Sequence, residues 1–197
     1  MARPSPEERI TVDGYLRGED GARIRHEYVE GRVFAQAGAS DAHNRLVVNL
    51  VLALGPTALD RGCQVYANDM KVRVRERIFY YPDVMLVCDD ADGDEFYKRR
   101  PCVVAEVLSA STMTVDRGEK LLNYQALTTL QGYLLIDQYA RRVEVYRRAD
   151  EARWSYERLE GEAVVRVPCL DIDLALSALY RNVSVGPSDE PYSGPRL

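Results

Sequence analysis

A chain of 197 residues can bury one good hydrophobic core, so a single domain is expected. Its formal net charge of −5 excludes a polycation, and any nucleic-acid contact has to come from a local basic patch. The Met-Ala-Arg-Pro-Ser-Pro start has no apolar stretch, and no run approaches about 18 uninterrupted apolar residues, so a soluble cytoplasmic protein with no membrane contact is expected.

In chain order, residues 1–10 read as a flexible lead-in. Thr11 can cap a short helix that runs to about Arg17 and stops at the Gly18-Glu19-Asp20-Gly21 turn. Residues 25–29 and 32–35 read as two strands joined at Glu30-Gly31, a hairpin signal. From Ser40 a helix is expected, because Leu46, Val47, Leu50, Val51 and Leu54 recur at three- and four-residue spacing. Pro56 should kink that helix or open a new turn, and Gly62 should stop it. Strands are then expected over 64–67, 71–74 and 78–87, the second with Lys71, Arg73 and Arg75 on one wet, basic face. An acidic loop over 89–93 leads to an aromatic and basic stretch, 96–100, and to a strand over 102–108. Ser109-Ala110-Ser111-Thr112 offers N-caps for a helix over 113–127. Residues 133–137, 142–147 and 154–159 look like an antiparallel meander, 172–179 like a last short helix, and 186–197 like a mobile tail. The single domain would thus span 11–185.

Cys63, Cys88, Cys102 and Cys169 form no CxxC pair and have no His-rich neighbourhood. Two of them fall in strand-like runs, as Cys63 nearly does, so reduced core thiols are expected.

Two apolar, β-branched runs each carry one carboxylate: Asp83 at the head of Val-Met-Leu-Val, and Glu106 within Val-Val-Ala-Glu-Val-Leu. An ionised group on a buried strand loses several kcal/mol of hydration unless something compensates. Two such groups on successive strands suggest a shared compensator, and a hard divalent cation is the simplest. Mg²⁺ (or Mn²⁺) could then be held by Asp83, Glu106 and the backbone carbonyl of Val107. On the following helix Asp116, Lys120 and Tyr124 stand four residues apart and form one polar stripe. A lysine there could serve a metal site, with Asp116 and Tyr124 behind it, but on spacing alone Asp116 and Lys120 read as an ordinary surface pair. Glu27 and His43 are further candidates for the same cleft. No GxSxG, GxxxxGK[ST] or HExxH motif is present, which weakens serine hydrolase, P-loop and zincin readings.

Several segments carry a resemblance: Arg25-His26-Glu27-Tyr28-Val29-Glu30-Gly31, Ser40-Asp41-Ala42-His43, Tyr81-Pro82-Asp83-Val84-Met85, Ala105-Glu106-Val107-Leu108-Ser109 and Asp116-Arg117-Gly118-Glu119-Lys120 with Tyr124. Together they resemble the Uma-two family, restriction-endonuclease-like proteins of the PD-(D/E)XK nuclease superfamily, from about Thr11 to Tyr180. The resemblance implies an α/β fold: a restriction-endonuclease-like core with a central mixed β-sheet flanked by helices, here with the additional meander. It implies Asp83 and Glu106 as metal ligands. The superfamily usually sets its lysine two residues after the glutamate, where this chain has Leu108, and the family pattern picks out Lys120 instead. Glu27 matches the family's first acidic position and His43 its histidine. Ala110 and Gly132 depart from the usual proline and glutamate, away from these residues.

The leading expectation is a metal-dependent nuclease acting on DNA, with catalytic residues Glu27, His43, Asp83, Glu106 and Lys120. Backbone phosphates could meet Lys71, Arg73 and Arg75 (with Arg77), or Lys98, Arg99 and Arg100. A solvated face is the commoner fate of such runs. Two other classes compete: a catalytically inactive nuclease-fold module binding DNA or protein, and a glycosidase using paired carboxylates. A homodimer would suit cutting of two strands.

Overall fold

The computed structural model describes residues 9–36 and 38–186. The expected lead-in and tail therefore fall largely outside the described residues.

A mixed six-stranded sheet forms the centre, in the order β11-β10-β9-β8-β6-β3. Its axis is β8 (Pro101–Leu108), every residue of which is buried, as a strand covered on both faces must be. β8 runs parallel to β9 (Gly132–Asp137) and antiparallel to β6 (Val84–Val87). The expected meander continues the same sheet through β10 (Arg142–Arg148) and β11 (Trp154–Glu160), while β3 (Gln64–Ala67) closes the other edge. A second, five-stranded sheet has the order β2 (Arg32–Ala35), β1 (His26–Val29), β5 (Ile78–Tyr80), β4 (Lys71–Arg75), β7 (Tyr97–Lys98).

Helix α2 (Asp41–Asp60) lays Leu46, Leu50 and Leu54 on one face of the central sheet, against Val84, Ala105 and Val107. On the opposite face Val104, Tyr133 and Leu135 pack with Tyr124 of the helical segment 113–125 and with Tyr80 of the second sheet. α2 starts where expected, with Ser40 Oγ accepting the His43 amide, and Gly62 (φ +70°) follows its last turn. Pro56 sits inside α2 and does not end it. α1 (Val12–Glu19) is capped by Thr11, as its spacing predicts, and outlasts the expected end by two residues.

Three expectations fail for identifiable reasons. The strand expected over 78–87 is two strands in different sheets, β5 (Ile78–Tyr80) and β6. Pro82 has no N–H for a ladder, so the chain leaves one sheet at Tyr81 and enters the other after Asp83. Hydrophobicity runs through that break and hides it. The last helix is in fact strand β13 (Ile172–Ala175) followed by one helical turn (Leu176–Leu179), and β13 pairs with β12 (Val164–Val167), which the sequence did not reveal. The cysteines are not reduced: Cys63–Cys88 and Cys102–Cys169 are disulfides, because the fold brings together positions 25 and 67 residues apart.

The hairpin of β1 (His26–Val29) and β2 (Arg32–Ala35) turns through Glu30 (φ 50°) and Gly31 (φ 91°), the two left-handed positions of a tight hairpin. A Cβ at Gly31 would lie 2.8 Å from Arg9 Cβ, and the Ile10 amide donating to Gly31 O at 2.9 Å holds that segment in place. Gly31→Ala should therefore lower unfolding free energy by more than about 1 kcal/mol, readable as a shift in urea midpoint at unchanged slope.

Candidate active site

The break between β5 and β6 sets Asp83 beside the C-terminal half of β8. Two hydrogen bonds lace the junction. The Val107 amide donates to Asp83 Oδ2 at 2.7 Å, and the Asp83 amide donates to Glu106 Oε2 at 3.4 Å. The two carboxylates therefore share one strand-to-strand step, as register Val84↔Ala105 requires. His43, three residues into α2 from its cap, reaches the same point with Nε2 3.3 Å from Asp83 Oδ2. Ser40, whose Oγ caps α2, also bonds Gln138 Oε1 at 2.5 Å, and Gln138 Nε2 donates to Leu108 O at 2.8 Å. That bridge ties the start of α2, and so His43, to the end of β8. Gln138 carries no sequence signal for this role, since its partner lies 98 residues away.

The helical segment 113–125 includes a π turn over Asp116–Lys120. Four apart on one face of this turn, Asp116 and Lys120 meet at 3.3 Å. Their surface-pair reading is overturned, because Asp116 is 1 % exposed and Lys120 5 %. Lys120 Nζ lies 2.9 Å from Glu27 Oε1 and donates to Glu106 Oε1 at 3.1 Å. The Tyr124 hydroxyl donates to the same Glu106 oxygen at 2.9 Å, and the Tyr80 ring lies 5.5 Å from Nζ. Tyr80, held by Asn123 and Glu119, is a wall the sequence reading missed; its position just before Tyr81-Pro82-Asp83 was the available clue.

Glu27, His43, Asp83, Glu106 and Lys120 thus converge from β1, α2, the β5–β6 junction, β8 and the π turn. Asp116 and Tyr124 stand behind Lys120, as the polar stripe suggested. Burial pushes the Glu106 carboxyl well above the usual carboxylate range against the pull of Lys120, and Asp116, Asp83 and Glu27 push it the same way. Burial likewise raises Glu27, again opposed by Lys120. Burial works against the Lys120 charge, but Glu106, Glu27 and Asp116 outweigh it and hold the ammonium above its ordinary range. Four carboxylates face one ammonium and one imidazole, so the site is short of positive charge. His43 Nδ1 is also buried without a hydrogen-bond partner. Oxygen donors with a charge deficit are the donor set a hard divalent ion takes.

The expected basic faces fare less well. Lys71 and Lys98 are buried: Lys71 Nζ lies 5.3 Å from the Tyr81 ring, and Lys98 Nζ donates to Asp92 O and Asp94 O at 3.0 and 2.5 Å. Neither is on a wet face: the stem of Lys71, on β4 (Lys71–Arg75), is drawn over the Tyr81 ring, and the acidic loop just before Lys98 folds back to put its carbonyls on the ammonium. Arg75 is exposed, Arg73 lies against Phe79, Arg99 donates to Tyr97 and Arg100 pairs with Asp89.

A mixed sheet flanked by helices, with an Asp and a Glu set side by side on neighbouring segments of its centre, is the architecture of the restriction-endonuclease-like class of nuclease folds. The chain belongs to the Uma2 family, described as "putative restriction endonuclease", whose pattern matches residues 12–178. It is similar to two proteins of Synechocystis sp. (strain PCC 6803). "Uncharacterized protein sll1609" is 35 % identical over 78 % of this chain and 89 % of the relative, and "Uncharacterized protein slr1290" is 30 % identical over 91 % and 96 %. Its fold matches the crystal structure of "a putative nuclease belonging to DUF820" from Anabaena variabilis, with a TM-score of 0.71 at 18 % identity, covering 87 % of this chain and 97 % of that one. No helix among the described residues is long and apolar enough to cross a membrane.

Proposed function

We propose that this protein is a divalent-metal-dependent endonuclease that hydrolyses DNA phosphodiester bonds. The observation that carries the reading is the pairing of Asp83 and Glu106 across one step of the central sheet, within a cluster holding more carboxylate than Lys120 neutralises. Asp83, Glu106 and the Val107 carbonyl would hold Mg²⁺ or Mn²⁺. Such an ion supplies a water of lowered pKa and offsets charge developing on the phosphoryl oxygens.

The chain's own groups do the rest. The Val107 amide fixes one Asp83 oxygen, and His43 Nε2 holds the same carboxylate from α2. Lys120 Nζ donates to Glu106 Oε1 and lies within 3.3 Å of Glu27 Oε1 and Asp116 Oδ1, which accept no hydrogen bond of good geometry, so its three N–H groups are not all committed. Beside an ion held by Asp83 and Glu106, Lys120 would be placed to donate an N–H to the scissile phosphate and steady the transition state. Backbone contacts along DNA would fall to Arg73, Arg75, Arg99 and Arg100, not to Lys71 or Lys98. Two copies of the chain would be needed to cut both strands together.

Plasmid incubated with the purified protein should be nicked or linearised only when Mg²⁺ or Mn²⁺ is present, and Asp83→Ala should abolish the cutting. Cutting that persists in Asp83→Ala refutes the assignment. Metal binding with no cleavage would instead favour a nuclease fold kept for binding DNA or protein.

A further inference from the structure

All four cysteines of the chain meet in one place, although they lie on four separate segments. Cys63 follows α2, Cys88 follows β6, Cys102 is the second residue of β8, and Cys169 sits in the turn Pro168–Leu170. The two disulfides are in contact, with Cys88 Sγ 3.7 Å from Cys102 Sγ. The sulfurs of Cys88, Cys102 and Cys169 all lie within 4.8 Å of one another. Cys102 reaches this cluster through a break in register: β6 pairs Leu86 with Val103 and Val87 with Pro101, skipping Cys102. Cys102 and Val103 consequently pack into the same core, under α2. A tetrathiolate zinc centre has Zn–S bonds of about 2.3 Å and hence sulfurs about 3.8 Å apart. Cys88 and Cys102 already stand at that spacing, and Cys63, now outside the close trio, would swing in once its bond to Cys88 opens.

We infer that, once both disulfides are reduced, Cys63, Cys88, Cys102 and Cys169 bind one Zn²⁺ as a four-thiolate structural site. A dithiol reductant supplies two electrons and two protons to each disulfide and leaves as its own cyclic disulfide. The four thiols formed then give up their protons to solvent as zinc takes the sulfurs. In a reducing compartment such a quartet is held as thiols, so zinc would do there what the disulfides do in oxidising surroundings. It would tie α2, β6, β8 and the β12–β13 hairpin together. Exposed Cys88 gives the ion its way in. The site is separate from the carboxylates: Cys102 precedes Glu106 by four residues of strand, about 13 Å. Soft sulfur donors also select a different metal from the oxygen donors there.

The full chain, reduced with a phosphine and titrated with Co²⁺ as probe, should take up one ion with sulfur-to-cobalt charge-transfer and tetrahedral ligand-field bands. Zn²⁺ should displace it. The oxidised chain and the Cys88→Ser/Cys169→Ser variant should lack the bands, and Asp83→Ala should keep them. A reduced chain whose circular dichroism is native, yet shows no such bands, overturns the inference. So does a reduced chain that has lost its native spectrum and neither gains the bands nor refolds on adding metal. Ligand-field bands without sulfur charge transfer, lost in Asp83→Ala but kept in the cysteine variant, would assign the cobalt to the carboxylates and overturn it equally.

Discussion

Lys120→Met should lower the unfolding free energy by about 3–5 kcal/mol in metal-free buffer, the usual cost of removing one partner from a buried ionic cluster. The methionine fills most of the stem's space, so packing changes little and the loss is electrostatic. Glu27, Glu106 and Asp116 keep their burial and lose the one ammonium that all three approach within 3.3 Å. Each must then stay charged without compensation or take up a proton. Because the deficit is one of positive charge, added Mg²⁺ should restore part of the stability of Lys120→Met. That recovery separates the electrostatic explanation from simple loss of a well-packed side chain. Urea unfolding of the variant with and without Mg²⁺ provides the check. A loss below about 1 kcal/mol would mean the carboxylates are already protonated and that Lys120 compensates nothing.

The parts of this site that were legible in the sequence are those where a polar residue interrupts an apolar run. Asp83 and Glu106 stood out because burial of their neighbours was predictable from β-branching alone. Glu27, His43 and Lys120 were candidates from their places on a short strand, at a helix start and in a polar stripe, and the resemblance of motifs then singled them out. For Asp116 and Lys120, local spacing pointed the wrong way: an i, i+4 acid–base pair looks the same on an exposed helix as on a buried π turn, and only the packing of 113–125 against β8 distinguishes them. Gln138 and Tyr80 stayed hidden for the complementary reason, that their roles depend on partners 98 and 39 residues away. The fold divides likewise. Capped and glycine-stopped elements such as α1, α2 and the β1–β2 hairpin were readable from their ends. The split of 78–87 between two sheets and the β12–β13 hairpin were not, since both depend on which strand lies alongside. The cysteine pairs required the complete fold.

Glu106→Gln should separate function from stability in the opposite sense to Lys120→Met. The amide is nearly isosteric, and its oxygen can still accept from Lys120 and Tyr124, whose present bonds to Glu106 Oε1 are 3.1 and 2.9 Å. What disappears is a negative charge that burial already penalises and that Asp116, Asp83 and Glu27 repel. Lys120 keeps Glu27 and Asp116 as partners. The metal-free variant should therefore unfold at the same urea concentration as the parent or a higher one. Metal-dependent cleavage should fall by at least about a hundredfold, because a neutral amide is a poor ligand for a hard cation and leaves Asp83 alone to hold it. A protein that gains stability when it loses an acid on its central strand retains that acid for chemistry, as expected where activity and stability compete. If Glu106→Gln instead lost more than about 2 kcal/mol while still cutting DNA, the carboxylate would be a structural partner of Lys120, and the catalytic centre would have to lie elsewhere.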